Sequence, residues 1–280
     1  MRLRLLHALL FAALGAACST PRADPVTVLN WNTYLMFSGR EHLAEATEWI
    51  RALGPDIAAF QEVPTGSEAA WHELAAGWGH EHAASLKDHG YPVALSSRFP
   101  IEVVERRVEG FHHGYLHARS AGFDLLLVHF WPTRTHEAEV VAELAAELVE
   151  QGRAVIVLGD FNSPIRLDEP HFAALGYEGE TIEGEKRIDY RMTDAFLDRG
   201  FVDLIHAHAP EASYSFSSPA LIPRWRDSLE EVYATRRRID FVFADEQTAK
   251  RVLDAAIITD DATVGQWSDH YPMWVRLPRP

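Results

Sequence analysis

The segment Val155-Ile-Val-Leu-Gly-Asp-Phe-Asn-Ser163 constrains the fold more than any other stretch of the chain. Four apolar residues in a row, three of them β-branched, predict a strand buried on both faces. Gly159 then leads directly into Asp160 and Asn162. Polar groups at the rim of a core cost free energy unless something binds them. In extended backbone, residues two apart point the same way, and a glycine lets the chain or a ligand approach closely. A metal ion, a water or a phosphate suits such a place. So does a strand-end turn in which Asp160 and Asn162 cap their own backbone.

The pattern of an apolar strand ending in a polar group recurs along the chain. Val26 to Trp31 alternates as a strand and ends at Asn32, and Asp56 to Phe60 leads into Gln61 and Glu62. Phe123 to Val128 ends in His129. Further strands are expected at Tyr91–Ser96, Ile101–Val108, Arg238–Phe243 and Met273–Leu277, with Ser268-Asp-His270 just before the last. Leu43, Ala46, Ile50 and Leu53 recur at helical spacing before a Gly54-Pro55 stop, and a second helix is expected from Ser67 to Ala76. The longest helix follows Pro132-Thr133. Its apolar stripe is expected at Val140, Val141, Leu144 and Leu148, opposite Glu139, Glu143, Glu147 and Glu150. Residues 164 to 235 have weak periodicity and predict a short helix near Thr193 to Arg199 within long loops, where substrate choice is usually made. Strands and helices alternate early and strands dominate later, which implies a layered α/β fold with sheets that are not purely parallel.

With 47% hydrophobic and 24% charged residues among 280, the chain has the composition of an ordinary globular protein. The first residues are expected to stand outside the fold. Arg2 and Arg4 precede an apolar run from Leu5 to Ala17, too short to span a bilayer comfortably and suited to a secretory signal. Cys18, the only cysteine, follows directly. This arrangement resembles a bacterial lipoprotein signal, in which the cysteine is lipidated; a plain signal peptide cut near Ala17 or Ala23 is the alternative. The expected division is a signal over 1–17, a linker over 18–25 and one catalytic domain over 26–280. The protein is then exported and held at a membrane by a lipid, or else periplasmic or secreted. Removing residues 1 to 17 takes away two arginines and no acid, so the formal charge of −15 becomes −17. An acidic surface does not by itself attract nucleic acid, although a nuclease whose metal ions carry the local positive charge remains compatible.

The polar strand-end residues are Asn32, Glu62, His129, Asp160, Asn162, Asp240, Asp269 and His270. Taken singly, each has an ordinary explanation as a turn cap, a solvated strand end or an edge histidine. Together they suggest one site. Glu62, Asp160 and Asp269 offer hard oxygen ligands suited to magnesium, manganese or calcium, and the chain, with a single cysteine, lacks the cysteine cluster of a structural zinc site. Near them, His112, His113, His117 and Arg119 fall where a substrate-facing loop is possible, with surface or structural roles as the ordinary expectation. Trp225, between Arg224 and Arg226, is expected to pack on the body unless it stacks on a base.

In order along the chain, Val28-Leu-Asn-Trp-Asn32, Asp56-Ile-Ala-Ala-Phe-Gln-Glu62, Leu127-Val-His129, Gly159-Asp-Phe-Asn162, Arg238-Ile-Asp-Phe241 and Ser268-Asp-His270 resemble the markers of the endonuclease/exonuclease/phosphatase superfamily. The resemblance spans roughly residues 26 to 278. It implies a four-layer sandwich, two packed mixed β-sheets flanked by helices, with metal-assisted phosphoester hydrolysis at the sheets' shared rim. It further implies that Glu62 holds the divalent ion, with Asn32 beside it and Asp269 completing the metal site. Asp160 would orient the attacking water, and Asn162 would help hold water and phosphate. His270, oriented by Asp240, would contact the scissile phosphate, and His129 would stabilise charge on the phosphoryl oxygens. Which group takes the water's proton is left open. The chemistry needs such a set because an in-line displacement gathers negative charge on phosphoryl oxygens and requires a positioned hydroxide. The expected enzyme is a monomeric phosphodiesterase or nuclease using Mg2+, or Mn2+ or Ca2+. The alternatives are a phospholipid or an inositol or sugar phosphate hydrolase, and, in another class, a non-catalytic binding protein on the same scaffold.

Overall fold

The computed structural model describes residues 24–182 and 184–280. The strands are β1 (Pro25–Asn32), β2 (Ile57–Gln61), β3 (His82–Ser85), β4 (Ala94–Ser97), β5 (Glu102–Arg107), β6 (Tyr115–Ser120), β7 (Phe123–His129), β8 (Ala154–Asp160), β9 (Glu180–Ile182), β10 (Glu185–Arg187), β11 (Val202–Asp203), β12 (Asp240–Ala244), β13 (Asp254–Ile257) and β14 (Met273–Pro278). The helices that frame them begin with α1 (Leu43–Leu53), α2 (Glu68–Gly77), α3 (Thr135–Glu150), α4 (Glu169–Leu175), α5 (Arg191–Leu197) and α6 (Leu204–His208).

Two six-stranded sheets form, in the orders β13-β14-β1-β2-β4-β3 and β11-β12-β8-β7-β6-β5. Each is antiparallel except for one parallel pair, β1 with β2 and β7 with β8. A parallel pair needs a crossover, and α1 and α3 supply the two. Val28, Ile57, Leu125, Leu127, Ile156, Leu158 and Val242 fill the space between the sheets. Leu29, Phe60, Ile50 and Trp71 pack α1 and α2 onto the outer face of the first sheet, and Val157, Phe241, Val141 and Phe196 pack α3 and α5 onto that of the second. This is the four-layer sandwich of two mixed sheets flanked by helices. Both faces of β2, β7 and β8 are covered, so their sequences read as continuous apolar runs.

Two expectations are corrected. The α3 stripe is Ala138, Val141, Ala142, Ala145 and Leu148, while Val140 is 46% exposed. Alanines let the helix lie close to the sheet, and a helical face built from them carries little hydropathy contrast. Residues 164–235 also hold more regular structure than one helix in long loops: α4, the β9–β10 hairpin, α6 and a short helix over Leu229–Ala234 are present besides α5. These elements are too short for periodicity to register, and distant contacts organise them instead.

The main tether is Arg238, fully buried at the start of β12. Its Nε and Nη2 donate to Asp168 at 2.9 and 3.0 Å, and its Nη1 lies 2.6 Å from Asp203 Oδ2. Asp168 belongs to the turn before α4, and Asp203 caps α6 by accepting from the backbone N–H groups of Ile205 and His206. Removing one partner of a buried ion pair strands the other charge, which costs about 3–5 kcal/mol. Arg238→Gln is therefore expected to lower stability by about that amount in urea denaturation. A loss below about 1 kcal/mol, the range of a surface pair, would show that the triad is not the tether.

Candidate active site

The site is the polar continuation of the inter-sheet core. Side chains two apart share a strand face. On β1 that face runs Val28, Asn30, Asn32; on β7, Leu125, Leu127, His129; on β8, Ile156, Leu158, Asp160; and on β12, running the other way, Ala244, Val242, Asp240. Beneath the rim Gln61 Nε2 donates to Asn30 Oδ1 at 3.0 Å, a polar layer between site and core. Gly159 permits the arrangement. Its φ is 150°, and a Cβ there would fall 1.9 Å from the carbonyl oxygen of Val128 on the neighbouring strand.

Asp160 sits at the centre and is 1% exposed. Its Oδ1 accepts from the backbone N–H of Asn162 at 2.8 Å, which is the strand-end cap, while its Oδ2 accepts from Asn32 Nδ2 at 2.9 Å and Asn162 Nδ2 at 3.2 Å. Asn162 is not extended: its φ of 48° is left-handed, and its side-chain amide also donates to the Phe130 carbonyl at 3.0 Å. Asn32 Nδ2 lies 3.4 Å from Glu62 Oε1. Glu62, just past β2, also has a left-handed backbone with φ 60°. His129 Nε2 stands 3.5 Å from Asp160 Oδ2 and 4.0 Å from Glu62 Oε1.

On the other side, His270 Nδ1 and Asp240 Oδ2 are hydrogen-bonded at 2.8 Å. His270 Nε2 then faces Asp160 Oδ2 at 3.8 Å and Asp269 Oδ1 at 3.9 Å. Asp240 does not pair with Arg237 or Arg238. Ser215 Oγ donates to its Oδ2 at 2.6 Å and in turn accepts from the backbone N–H groups of Ile239 and Asp240. Nothing in the sequence around Ser215 marks it as part of this network.

The electrostatics follow burial and neighbours. Burial, then Asp269, pushes the Glu62 carboxyl up to about 7. Burial also raises Asp160 and Asp269, with Asp240 adding to both. The two histidines diverge. Burial opposes charge on His270, but Asp240, Asp269 and Asp160 together hold it well above the ordinary imidazole range. Burial lowers His129, and His113 and His270 push it further down.

All eight residues expected at the site therefore meet at one rim. Among the described residues, Asp160, Asp240 and His270 form the group of three whose possible ligand atoms lie within 4.8 Å of one another. His270 Nδ1 and Asp240 Oδ2 already satisfy each other, so that trio is better suited to orienting a proton carrier than to holding an ion. Glu62 and Asp269 keep oxygens open, with Asp269 Oδ1 buried without a hydrogen-bond partner, while Asn32 Oδ1 accepts from the backbone N–H of Tyr34 at 3.1 Å. Cys18 lies outside the described residues.

Of the neighbouring residues, His117 and Arg119 lie on β6 and bind the buried Asp124 at 2.7 and 3.0 Å, a structural role. His113 was undervalued in the sequence: it is buried and its ring stacks on His129 at 4.1 Å with an 11° interplanar angle. His112 meets His113 edge-on at 4.3 Å and itself stacks on the exposed Trp131 at 4.0 Å. Trp225 does not pack into the body; it is 56% exposed and donates to Tyr34 Oη at 2.7 Å.

The model of the Endonuclease/Exonuclease/phosphatase family matches residues 29–270. The chain is 26% identical over 273 residues to exodeoxyribonuclease III of Haemophilus influenzae, covering 85% of this chain and 95% of that one. The fold is similar to a 3′ phosphatase, NExo, from Neisseria, solved bound to a product DNA hairpin, with a TM-score of 0.68, 16% identity, and 90% and 99% of the two chains covered. It is also similar to an AP endonuclease from Archaeoglobus fulgidus, with a TM-score of 0.65, 19% identity, and 89% and 98% covered.

The Asp240–His270 bond can be tested directly. Asp240→Asn is expected to leave the melting temperature near wild type and to lower kcat by about 10²- to 10⁴-fold, the range for losing positioned acid–base assistance. His270→Ala is expected to cost at least as much, and the double variant little more than His270→Ala, because residues acting as one unit give non-additive losses. Additive losses in kcat would refute the coupled pair.

Proposed function

The chain belongs to the endonuclease/exonuclease/phosphatase family and is a metal-dependent phosphoester hydrolase; from that premise we propose a Mg2+-dependent phosphodiesterase acting on nucleic acid. The observation that carries the reading is the buried Asp240–His270 pair aimed at Asp160, with Asn32 and Asn162 gripping the same carboxylate. Two relatives whose names refer to DNA support nucleic acid over phospholipids and sugar phosphates.

Glu62, Asn32 and Asp269 are the residues that would hold the ion. Their fit rests on hard oxygen donors, on the mutual repulsion of the two acids, and on the unpartnered Asp269 Oδ1. A divalent ion bound there supplies Lewis-acid polarisation of a phosphoryl oxygen and neutralises developing charge. The chain's own groups do the rest. Asp160, fixed by three hydrogen bonds, orients the attacking water. Asn162 offers its amide to water and phosphate. His270, held by Asp240 through Nδ1, presents Nε2 to the scissile phosphate. His129, kept neutral by burial and by His113, donates from Nε2 to a phosphoryl oxygen without adding charge.

We also propose that residues 1–17 are a signal, that 18–25 link it to the catalytic domain over 26–280, and that Cys18 carries a lipid which holds an exported enzyme at a membrane.

With EDTA, hydrolysis of DNA or of a nucleotide aryl diester is expected to cease, and Mg2+ or Mn2+ to restore it. A divalent ion at 100 times its Kd should stabilise the folded protein by about 2.7 kcal/mol, and Glu62→Gln should abolish the corresponding rise in melting temperature. Activity that survives exhaustive chelation, or an unchanged metal response in Glu62→Gln, rules the assignment out. For the anchor, fractionation of cells expressing wild type and Cys18→Ala should place only the wild type with membranes. Equal release of both would leave the plain signal peptide.

A further inference from the structure

Beside the catalytic rim lies a cavity of about 290 Å³ whose lining includes Asn162, Ser163, Asp189, Met192, Arg237 and Ile239. Asn162 belongs to the rim described above, so whatever is attached to a phosphate held there extends into this space. Arg237 forms part of the same lining. Among the described residues this guanidinium forms no ion pair, and its hydrogen bond from Nη1 to the Thr235 carbonyl is a long one, 3.4 Å. Aromatic rings flank it instead, with Cζ 5.7 Å from the Tyr177 ring and 5.5 Å from that of Phe216. The Phe216 ring in turn lies 5.0 Å from the His270 ring. Arg237 is therefore one ring removed from the catalytic histidine. The acid in the lining, Asp189, is engaged by Arg191 at 2.8 and 2.7 Å and does not neutralise Arg237.

We infer that this cavity is a subsite for a phosphorylated sugar, with Arg237 receiving a second phosphate of the substrate, one sugar away from the scissile one. Met192 and Ile239 offer apolar surface to the sugar ring, and the Ser163 hydroxyl in the same lining donates to the Asp189 carbonyl at 3.2 Å. The volume suits a single nucleotide unit. Rings that flank a guanidinium fix its plane, and a planar fork binds phosphate with two parallel hydrogen bonds. Substrates whose phosphates recur at every sugar satisfy both positions at once, whereas a phospholipid with one phosphate satisfies only the first. The inference rests on the nuclease reading above and sharpens it to a preference for polynucleotides and nucleoside bisphosphates.

The test compares ligands that differ by one phosphate. Calorimetry with Mg2+ would measure thymidine 3′,5′-bisphosphate against thymidine 5′-monophosphate. Initial rates would be taken on thymidine 5′-(4-nitrophenyl phosphate) with and without a 3′-phosphate. The wild type is expected to favour the additional phosphate by about 10- to 100-fold in Kd and in KM, the effect of a charge-assisted hydrogen-bond pair. Arg237→Gln should erase the ratio and Arg237→Lys retain part of it, because lysine keeps the charge without the fork. No preference in the wild type, or equal weakening of both ligands in Arg237→Gln, overturns the inference. If neither aryl diester is hydrolysed with Mg2+, Mn2+ or Ca2+, the phosphodiesterase reading fails, and the calorimetric ratio still decides the role of Arg237.

Discussion

The structure depends on a carboxylate that the fold buries between two sheets. Asp160 ends a central strand of the second sheet and Asn32 ends a central strand of the first, and the 2.9 Å bond between them joins residues 128 apart in sequence. An isolated buried carboxylate is disfavoured by several kcal/mol, so its donors are part of the fold's stability as well as of its chemistry. They come from two places, Asn32 from β1 and the Asn162 backbone and amide from the turn after β8, while His270 from the loop before β14 faces the same carboxylate at 3.8 Å. Any slip of one sheet over the other would separate Asn32 from Asp160. The rim thus sets the register of the sandwich that the apolar layer beneath it makes possible.

Local backbone strain is concentrated at the same rim. Glu62 and Asn162 both adopt left-handed conformations, an unusual state for a glutamate, and each occupies the first or second position beyond a central strand. A strand carried on in extended form would project Glu62 toward the outer face, since Gln61 already points inward. The left-handed turn brings the carboxylate back over Asn32. Strain of this kind, of order 1–3 kcal/mol per residue, persists only where the surroundings enforce it. Here the Thr33 hydroxyl bonds the Gln61 and Glu62 carbonyls at 2.9 and 3.1 Å.

The central strands and the rim were legible in the sequence for one physical reason. Strands covered on both faces are apolar through the core, so the return of polarity marks where a strand nears its end, at Asn30 and Gln61 just beneath the rim and at Asn32, Glu62, His129 and Asp160 on it. The layered fold follows from the same runs. Other parts depend on contacts that no local pattern encodes. Asp168 and Asp203 look like solvated acids until Arg238 is buried between them. Ser215 gives no sign that it will hold Asp240. His113 looks like a loop histidine, although its ring is packed flat against His129. The α3 face escaped because alanine contributes to packing by its small size more than by its hydropathy.

The two rim histidines are driven apart by their surroundings. Both are buried, and burial alone would keep both neutral. His270 is surrounded by Asp240, Asp269 and Asp160, so its charge is favoured and it can carry a proton next to an anionic phosphate. His129 has another imidazole stacked on it, and burial, then His112 and Lys87, holds that His113 down to about 4. Protonating His129 would put a cation against a ring that cannot relieve it, so its neutral form is favoured. Paired titratable groups whose surroundings push them apart are how one site accommodates both proton transfer and charge-neutral hydrogen bonding near pH 7. In a chain with a formal charge of −15 the separation matters further. The overall field opposes the approach of an anion, and against it the chain sets the positive charge of His270 and Arg237, both next to the Phe216 ring.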